Sequence, residues 1–407
     1  MILSVEQALE IVLASVSPLG AEEVALEDAP GRYLAEDVAA DQDVPPFERS
    51  MMDGYAVRAA DTAQAPVALR VTGQLRAGQV PERSVGPGEA IQIMTGAPLP
   101  PGADAVQQVE KARSLDDSRV EIGEAVAAGQ HVARRGSEIR AGETALRSGS
   151  RIGPAGLAAL ATAGCARVRV GRRPQAALLV TGDELVGVDR RPSGASIRNA
   201  NGPAVMAQLR EAGAVARSLG VVPDEQDRIA AGIRAGLDAD VLLLSGGVSA
   251  GAFDLVEAVL GRFGVEILFE RVAIKPGAPL VFGRRGRNVV FGLPGNPVSA
   301  QVTFDVFVRP ALVRLQGGRS SARPAVEVTL DGPLKNRSRR RAYLPAVVSS
   351  GPDGLRATPL PSAGSADVFA HARANALLVI EAERTQAEAG ERARALLLPA
   401  FVLGEVP

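Results

Sequence analysis

The sequence predicts a doubly wound, mostly parallel α/β domain flanked by β-rich modules. Residues 176–316 alternate continuous apolar strands with helical runs, the pattern of a parallel sheet covered on both faces. Residues 41–130 and 320–407 carry short strand-like runs between Gly/Pro turns. The chain has 407 residues, and about 100–200 residues per domain makes two to four domains.

Each element has a local cause. Residues 4–16 form an amphipathic helix, opened by a Ser4/Gln7 capping box and carried by Val5, Ala8, Leu9, Val12 and Leu13. VALRVTG (67–73), EAIQIM (89–94) and ADAVQQVE (103–110) are strands of the first β-rich module. A helix over 153–163 takes Pro154 in its first turn, and GRRPQ at 171–175 is a candidate boundary. AALLVTG (176–182) is a buried strand. The helix GPAVMAQLREAG (202–213) ends at Gly213, and AVARSLGVV (214–222) is the next strand. DEQDRIAAGIRAGL (224–237) is a helix with Asp224 as its N-cap. DVLLLSGG (240–247), VEILFERVAI (265–274) and NVVFGLPG (288–295) are strands. FDLVEAVLGRFG (253–264) and VSAQVTFDVFVRPALVRL (298–315) are helices.

Composition excludes several functions. Lys+Arg number 45 and Asp+Glu 46, so there is no global charge for nucleic acid. Aromatic residues are 3%, too few for a base-stacking platform. The single Cys165 excludes an intramolecular disulfide framework and reads as a small buried hydrophobe. His131 and His371 read as surface residues, not as a metal cluster. The N-terminus lacks a basic region, and Glu6 and Glu10 interrupt its apolar stretch, so no signal peptide is expected. No apolar run approaches about 20 residues, and a cytoplasmic protein without membrane contact is expected.

Ligands of open parallel sheets bind beyond the carboxyl ends of the strands. Four such exits here are polar or Gly-rich. They are Thr181-Gly182-Asp183-Glu184, then Ser245-Gly246-Gly247-Val248-Ser249-Ala250-Gly251 with Asp254, then Lys275-Pro276-Gly277, then Gly292-Leu293-Pro294-Gly295-Asn296-Pro297. Glycines bring backbone N–H groups to anions, helix N-termini add donors, and Lys275 adds a full charge. Asp183, Glu184 and Asp254 suit a hard cation such as Mg²⁺. The loops fit neither GxxxxGK[ST] nor GxGxxG, and tight connections and an anion site both remain open. In the β-rich module, Asp53 reads as an Asx turn and Thr95 as a capping hydroxyl, with a ligand role as the alternative. The run Arg337, Arg339, Arg340, Arg341 reads as a solvated face or as an oxyanion binder.

Seven segments together resemble the molybdopterin molybdenumtransferase family, whose eukaryotic relatives include the gephyrin E domain. They are PPFERSMMDGYAVR (45–58), IMTGAPLPPGADAV (93–106), TGDEL (181–185), IRNANG (197–202), SGGVSAGAFD (245–254), IKPGAPLVFG (274–283) and GLPGNPVSA (292–300). The resemblance implies an enzyme that takes adenylylated molybdopterin and molybdate. It hydrolyses the adenylate with Mg²⁺ and forms molybdenum cofactor and AMP. It implies a homodimer of four-domain subunits: a linking domain from 1–40 and 131–174, a β-rich domain at 41–130 closing the partner's site, an α/β domain at 175–318 and a barrel-like domain at 319–407. It places function on Asp53, Thr95, Glu184, Asp224, Asp254 and Lys275. Pterin and oxyanion contacts fall on Gly182, Asp183, Ser245, Gly246, Gly247, Ser249, Gly251, Pro276, Gly277, Pro279, Pro294, Gly295, Asn296, Pro297, Arg340 and Ser365, and Mg²⁺ on Glu184 and Asp183. Transient contacts with the upstream adenylyltransferase and with molybdoenzymes are also implied. The alternatives are the adenylyltransferase itself, which such proteins resemble over 176–316 alone, and a gephyrin-type scaffold.

Overall fold

The computed structural model describes residues 2–246, 253–319 and 322–399; the side chains of residues 253–255 are not described. At its centre is a six-stranded sheet in the order 215–222, 175–181, 241–245, 288–293, 279–285, 266–271. The first four strands are parallel. The strand Pro279–Arg285, absent from the sequence expectation, runs antiparallel to both of its neighbours, so 266–271 again runs in the direction of the first four. Its apolar PLVFG run sits so close to the next strand that the two merge by pattern alone.

Both sheet faces are buried, and the strand pleat divides them. Ala176, Leu178 and Val180 point into one core, with Val205, Met206 and Leu209 of α3 (Asn201–Glu211). Ala177 and Leu179 point into the other, with Ile229 and Ile233 of α4 (Gln226–Gly236) and Val256, Val259 and Leu260 of α5 (Phe253–Arg262). A period of two on a strand covered from both sides requires the unbroken apolar sequence seen here. No helix among the described residues is long and apolar enough to cross a membrane.

The expected single helix 298–315 is three pieces: α6 (Pro297–Thr303), a π-turn over Phe304–Val308 and α7 (Arg309–Leu315). Pro310 has no N–H to offer, so the ladder slips ahead of it. The N-terminal helix α1 (Val5–Ala14) has the predicted capping box, Ser4 Oγ accepting from Gln7 N at 3.2 Å and Gln7 Oε1 from Ser4 N at 2.9 Å. Val5, Ala8 and Val12 bury in the core that holds Phe304, Phe307 and Leu315.

Residues 54–122 form a six-stranded sheet in the order 105–108, 54–57, 89–93, 67–75, 119–122, 112–116. Gly54 is required there: a Cβ would stand 1.8 Å from the Gln107 carbonyl oxygen. The helix expected over 153–163 is α2 (Pro154–Thr162), with Pro154 in its first turn. Two-stranded ladders tie 21–25 to 167–171, 38–39 to 144–146 and 49–50 to 132–133. In the C-terminal part, strands 325–330, 392–397, 376–380, 341–351 and 354–359 pair in turn. The last returns to the first through Thr329–Arg356 and Leu330–Ala357, so the sheet closes as a five-stranded barrel. Its interior is packed by Val328, Leu330, Ala346, Val348, Leu378 and Ile380. A sixth segment, Ile274–Lys275 from the α/β part, adds in parallel beside Arg341–Ala342.

Neither histidine is a plain surface residue. His131 adopts φ 55° and is half-buried. The His371 Nδ1 is buried without a hydrogen bond, and burial pulls its pKa down. Cys165 is half-buried at the edge of a small core with its thiol pKa raised by burial, an unreactive setting.

Candidate functional site

A cleft of about 880 Å³ lies where the carboxyl ends of the central strands meet the barrel. One wall is Thr181, Gly182, Glu184, Asp224 and Gly246. A second is Lys275 to Pro279, and a third is Pro294 to Ser299. The barrel closes it with Arg340, Tyr343, Leu344, Pro345 and the segment Ser362–Ala366. The loops singled out from the sequence therefore converge, although up to 184 positions separate Thr181 from Ser365.

The loops are held by specific bonds. Asn201 is 8% exposed, and its Nδ2 donates to Ser245 Oγ and to the Gly295 carbonyl, both at 2.8 Å. That one amide ties two strand exits together. Ser245 is fully buried behind the cleft and does not line it. Gly246 adopts φ +95°, and a Cβ there would meet the Thr181 carbonyl oxygen at 2.1 Å, so only glycine lets these loops touch. Asn296 Nδ2 donates to Ser365 Oγ at 2.8 Å, and Val298 N donates to the Ser365 carbonyl at 3.1 Å. The barrel thus occupies the Val298 N–H at the start of α6, a donor that was expected to face an anion.

Asn201 escaped the sequence reading because an asparagine at a helix start reads as a cap. After Asn201→Ala we expect a drop in thermal midpoint from two unsatisfied buried acceptors, about 1–3 kcal/mol each. Ligand affinity should fall with it; thermal melts and ligand titration of the same variant check both.

The acidic side of the cleft is crowded. Asp224 was expected to cap α4, but the N-cap is Glu225 and no side chain caps that end. Instead Asp224 turns toward the first strand exit, and its backbone N–H donates to Asp183 Oδ1 at 3.0 Å. Burial first, then the nearby Asp183 and Glu184 carboxylates, push its pKa up. The Thr181 hydroxyl opposes this without hydrogen-bond alignment, and Thr181 Oγ1 and Asp224 Oδ1 both stay buried without a hydrogen bond. Among the described residues, no three His, Cys, Asp or Glu groups are arranged to hold a metal ion alone. Asp183 and Glu184 still suit a Mg²⁺ that draws its other ligands from phosphate and water.

The basic side is sparse. Arg340 lines the cleft, while Arg341 is committed to Glu6 and to Glu381, the latter at 2.5 Å. Arg340 lies in the bend before the strand that starts at Arg341, so the two neighbours leave the backbone from different local structure. Among the described residues, neither the Lys275 nor the Arg340 side chain is bonded to a carboxylate.

Asp53 and Thr95 do not line this cleft. They meet on the β-rich sheet, where Asp53 Oδ1 accepts from Thr95 N and Thr95 Oγ1, both at 2.7 Å. These bonds hold the Asp53 carboxyl below its ordinary range. The pair ties two loops together, which neither a local Asx turn nor a helix cap would do. Gly247, Ser249 and Gly251 lie outside the described residues, as does the side chain of Asp254.

Known proteins match along the whole chain. Family models match for the MoeA N-terminal region (domain I and II) over residues 3–164, the probable molybdopterin binding domain over 177–314, and the MoeA C-terminal region (domain IV) over 327–398. A molybdopterin molybdenumtransferase of Bacillus subtilis (strain 168) is 36% identical over 387 residues, 93% of this chain and 90% of its own. One from Synechococcus elongatus is 37% identical over 331 residues, 77% of this chain and 80% of its own. The crystal structure of a molybdopterin biosynthesis MoeA protein from Pyrococcus horikoshii OT3 superposes with a TM-score of 0.83 at 28% identity. That match covers 98% of this chain and 100% of the other. With family models matched over both ends and the centre, and relatives more than 30% identical over most of their length, the chain belongs to the molybdopterin molybdenumtransferase family.

Proposed function

We propose that this chain transfers molybdenum from molybdate to adenylylated molybdopterin, forming molybdenum cofactor and releasing AMP. One observation carries the reading: two uncommitted cations and a set of carboxylates share a cleft in a chain of this family. Lys275 and Arg340 hold molybdate, a tetrahedral dianion, beside the turn through Pro279 and the Ser365 hydroxyl. Pro276, Gly277, Pro294, Gly295 and Pro297 shape the wall against which the pterin lies. Asp183 and Glu184 hold Mg²⁺, which when bound would polarise the adenylate phosphate. Asp254 joins this acidic group by its place in the sequence.

A homodimer completes the site on this reading. The anionic Asp53, fixed by Thr95, lies outside the lining of its own cleft and serves that of the second subunit. The upstream adenylyltransferase and the molybdoenzymes are the transient partners. The adenylyltransferase alternative loses support because the B. subtilis relative aligns over 93% of this chain, β-rich and barrel parts included.

AMP release from adenylylated molybdopterin tests the reading. Release should require both molybdate and Mg²⁺, and Glu184→Ala should slow it about 100-fold while molybdate still binds. Undiminished release by that variant removes Glu184 from the chemistry. ATP consumption without molybdate would move the assignment to the adenylyltransferase.

A further inference from the structure

Resting on the oxyanion reading above, we infer that Asn336 is the positioning residue that presents Arg340 to the bound oxyanion. Arg340 ends a five-residue connection between the strand Leu334–Lys335 and the strand Arg341–Gly351. Such a connection is free to move unless something ties it across. Asn336 does so with both ends of its amide. Its Nδ2 donates to the Arg340 carbonyl at 2.8 Å. Its Oδ1 accepts from Ser338 Oγ at 2.7 Å and from Ser338 N at 3.3 Å. Its own backbone N–H donates to the Thr385 carbonyl at 2.7 Å, anchoring it to the neighbouring strand.

The residue is 1% exposed, beside the apolar core of the barrel. A buried amide is costly unless its donors and acceptors are used, and here they are used on the Arg340 turn. The turn is also strained, since Arg339 adopts φ +50°, a conformation rare for a residue with a side chain. Asn336 holds it there.

The far side is fixed as well. Arg341 N donates to the Ala273 carbonyl at 3.1 Å, and Ile274 and Lys275 register opposite Arg341 and Ala342. Arg340 immediately precedes this paired segment, and both Arg340 and Lys275 line the cleft. The spacing of the two cations is therefore set by Asn336 at one end and by the added strand at the other. A tetrahedral dianion is read by charges at fixed separation, so loosening one of them weakens capture of the anion and leaves the pterin wall intact.

The test uses the full-length chain with Asn336→Ala, Arg340→Ala and the double variant. Two readouts are taken: calorimetric titration with molybdate and with tungstate, and AMP release at varied molybdate. Asn336→Ala should raise the half-saturating molybdate about tenfold. It should leave the rate at saturating molybdate and the half-saturating adenylylated pterin unchanged. The double variant should be no weaker for molybdate than Arg340→Ala alone, because Asn336 acts through Arg340. Additive losses, or equal losses for molybdate and pterin, would overturn the assignment in favour of a general structural role. If Asn336→Ala does not fold, Ser338→Ala removes one arm of the same amide and should raise half-saturating molybdate two- to fivefold; no change would overturn the assignment. A wild-type chain that binds neither oxyanion brings down the oxyanion reading itself. A wild type that binds and an Asn336→Ala that binds equally brings down only the role of Asn336.

Discussion

Lys275→Ala should raise the molybdate needed for half-maximal AMP release by about 100-fold, the largest binding effect expected from any single side chain here. The size follows from scarcity. Lys275 and Arg340 are the cations of the cleft wall, and Ala278, three residues along the lysine loop, contributes none. A lost hydrogen bond to a charged group costs about 1.5–3 kcal/mol, which is roughly one to two orders of magnitude in affinity. The backbone that carries the side chain is already placed without the ligand, since Ile274–Lys275 is paired at the barrel edge. Little ordering cost offsets the contact. Lys275→Arg should recover part of the loss, because charge is kept but the planar guanidinium does not fit an ammonium's position. The check is a molybdate titration of AMP release at fixed ionic strength. An unchanged half-saturation would remove Lys275 from the oxyanion site.

Asp224→Asn should do two opposite things: slow AMP release about 100-fold and raise the thermal midpoint at pH 7. Burial and the Asp183 and Glu184 charges raise the Asp224 pKa in the folded chain. A raised folded pKa means the folded state binds this proton more tightly than the unfolded state does. Its stabilising contribution is complete below the unfolded value near 3.8 and is lost as pH rises through the folded value. At pH 7 the ionised wild-type carboxylate therefore carries a cost that an amide does not. We expect a gain of about 2 °C at pH 7, shrinking as pH falls toward 4. Melting curves of both proteins across that range check the sign. A midpoint lower than wild type at pH 7 would mean that the carboxylate stabilises the fold. Stability surrendered for a ligand-ready group is a common mark of a functional site.

Several residues show where sequence reasoning reached its limit. Asp224 precedes a helix, and that position favours a cap on average. The contest between capping α4 and facing Asp183 is decided by the neighbouring strand exit, 41 positions away. Arg340 and Arg341 are equivalent in a basic run. Arg340, in the bend before the strand, lines the cleft, and Arg341, on the strand, pairs with Glu6 and Glu381. Neither Asn201 nor Asn336 stands out by local pattern, and only their long-range or buried partners give them consequence.

What the sequence determined alone was the periodic part. The capping box of α1, the unbroken apolar strands and the Gly/Pro-punctuated β-rich ends depend on neighbours within a few residues. The polar strand exits were legible for the same reason. The tertiary structure decided which exits meet, which arginine is free and which charge is buried. Those outcomes depend on contacts far apart in the chain, whose energies no local pattern encodes. The barrel closure and the crossing of Ile274–Lys275 into its sheet belong to that second group, because a strand's own sequence does not name its partner.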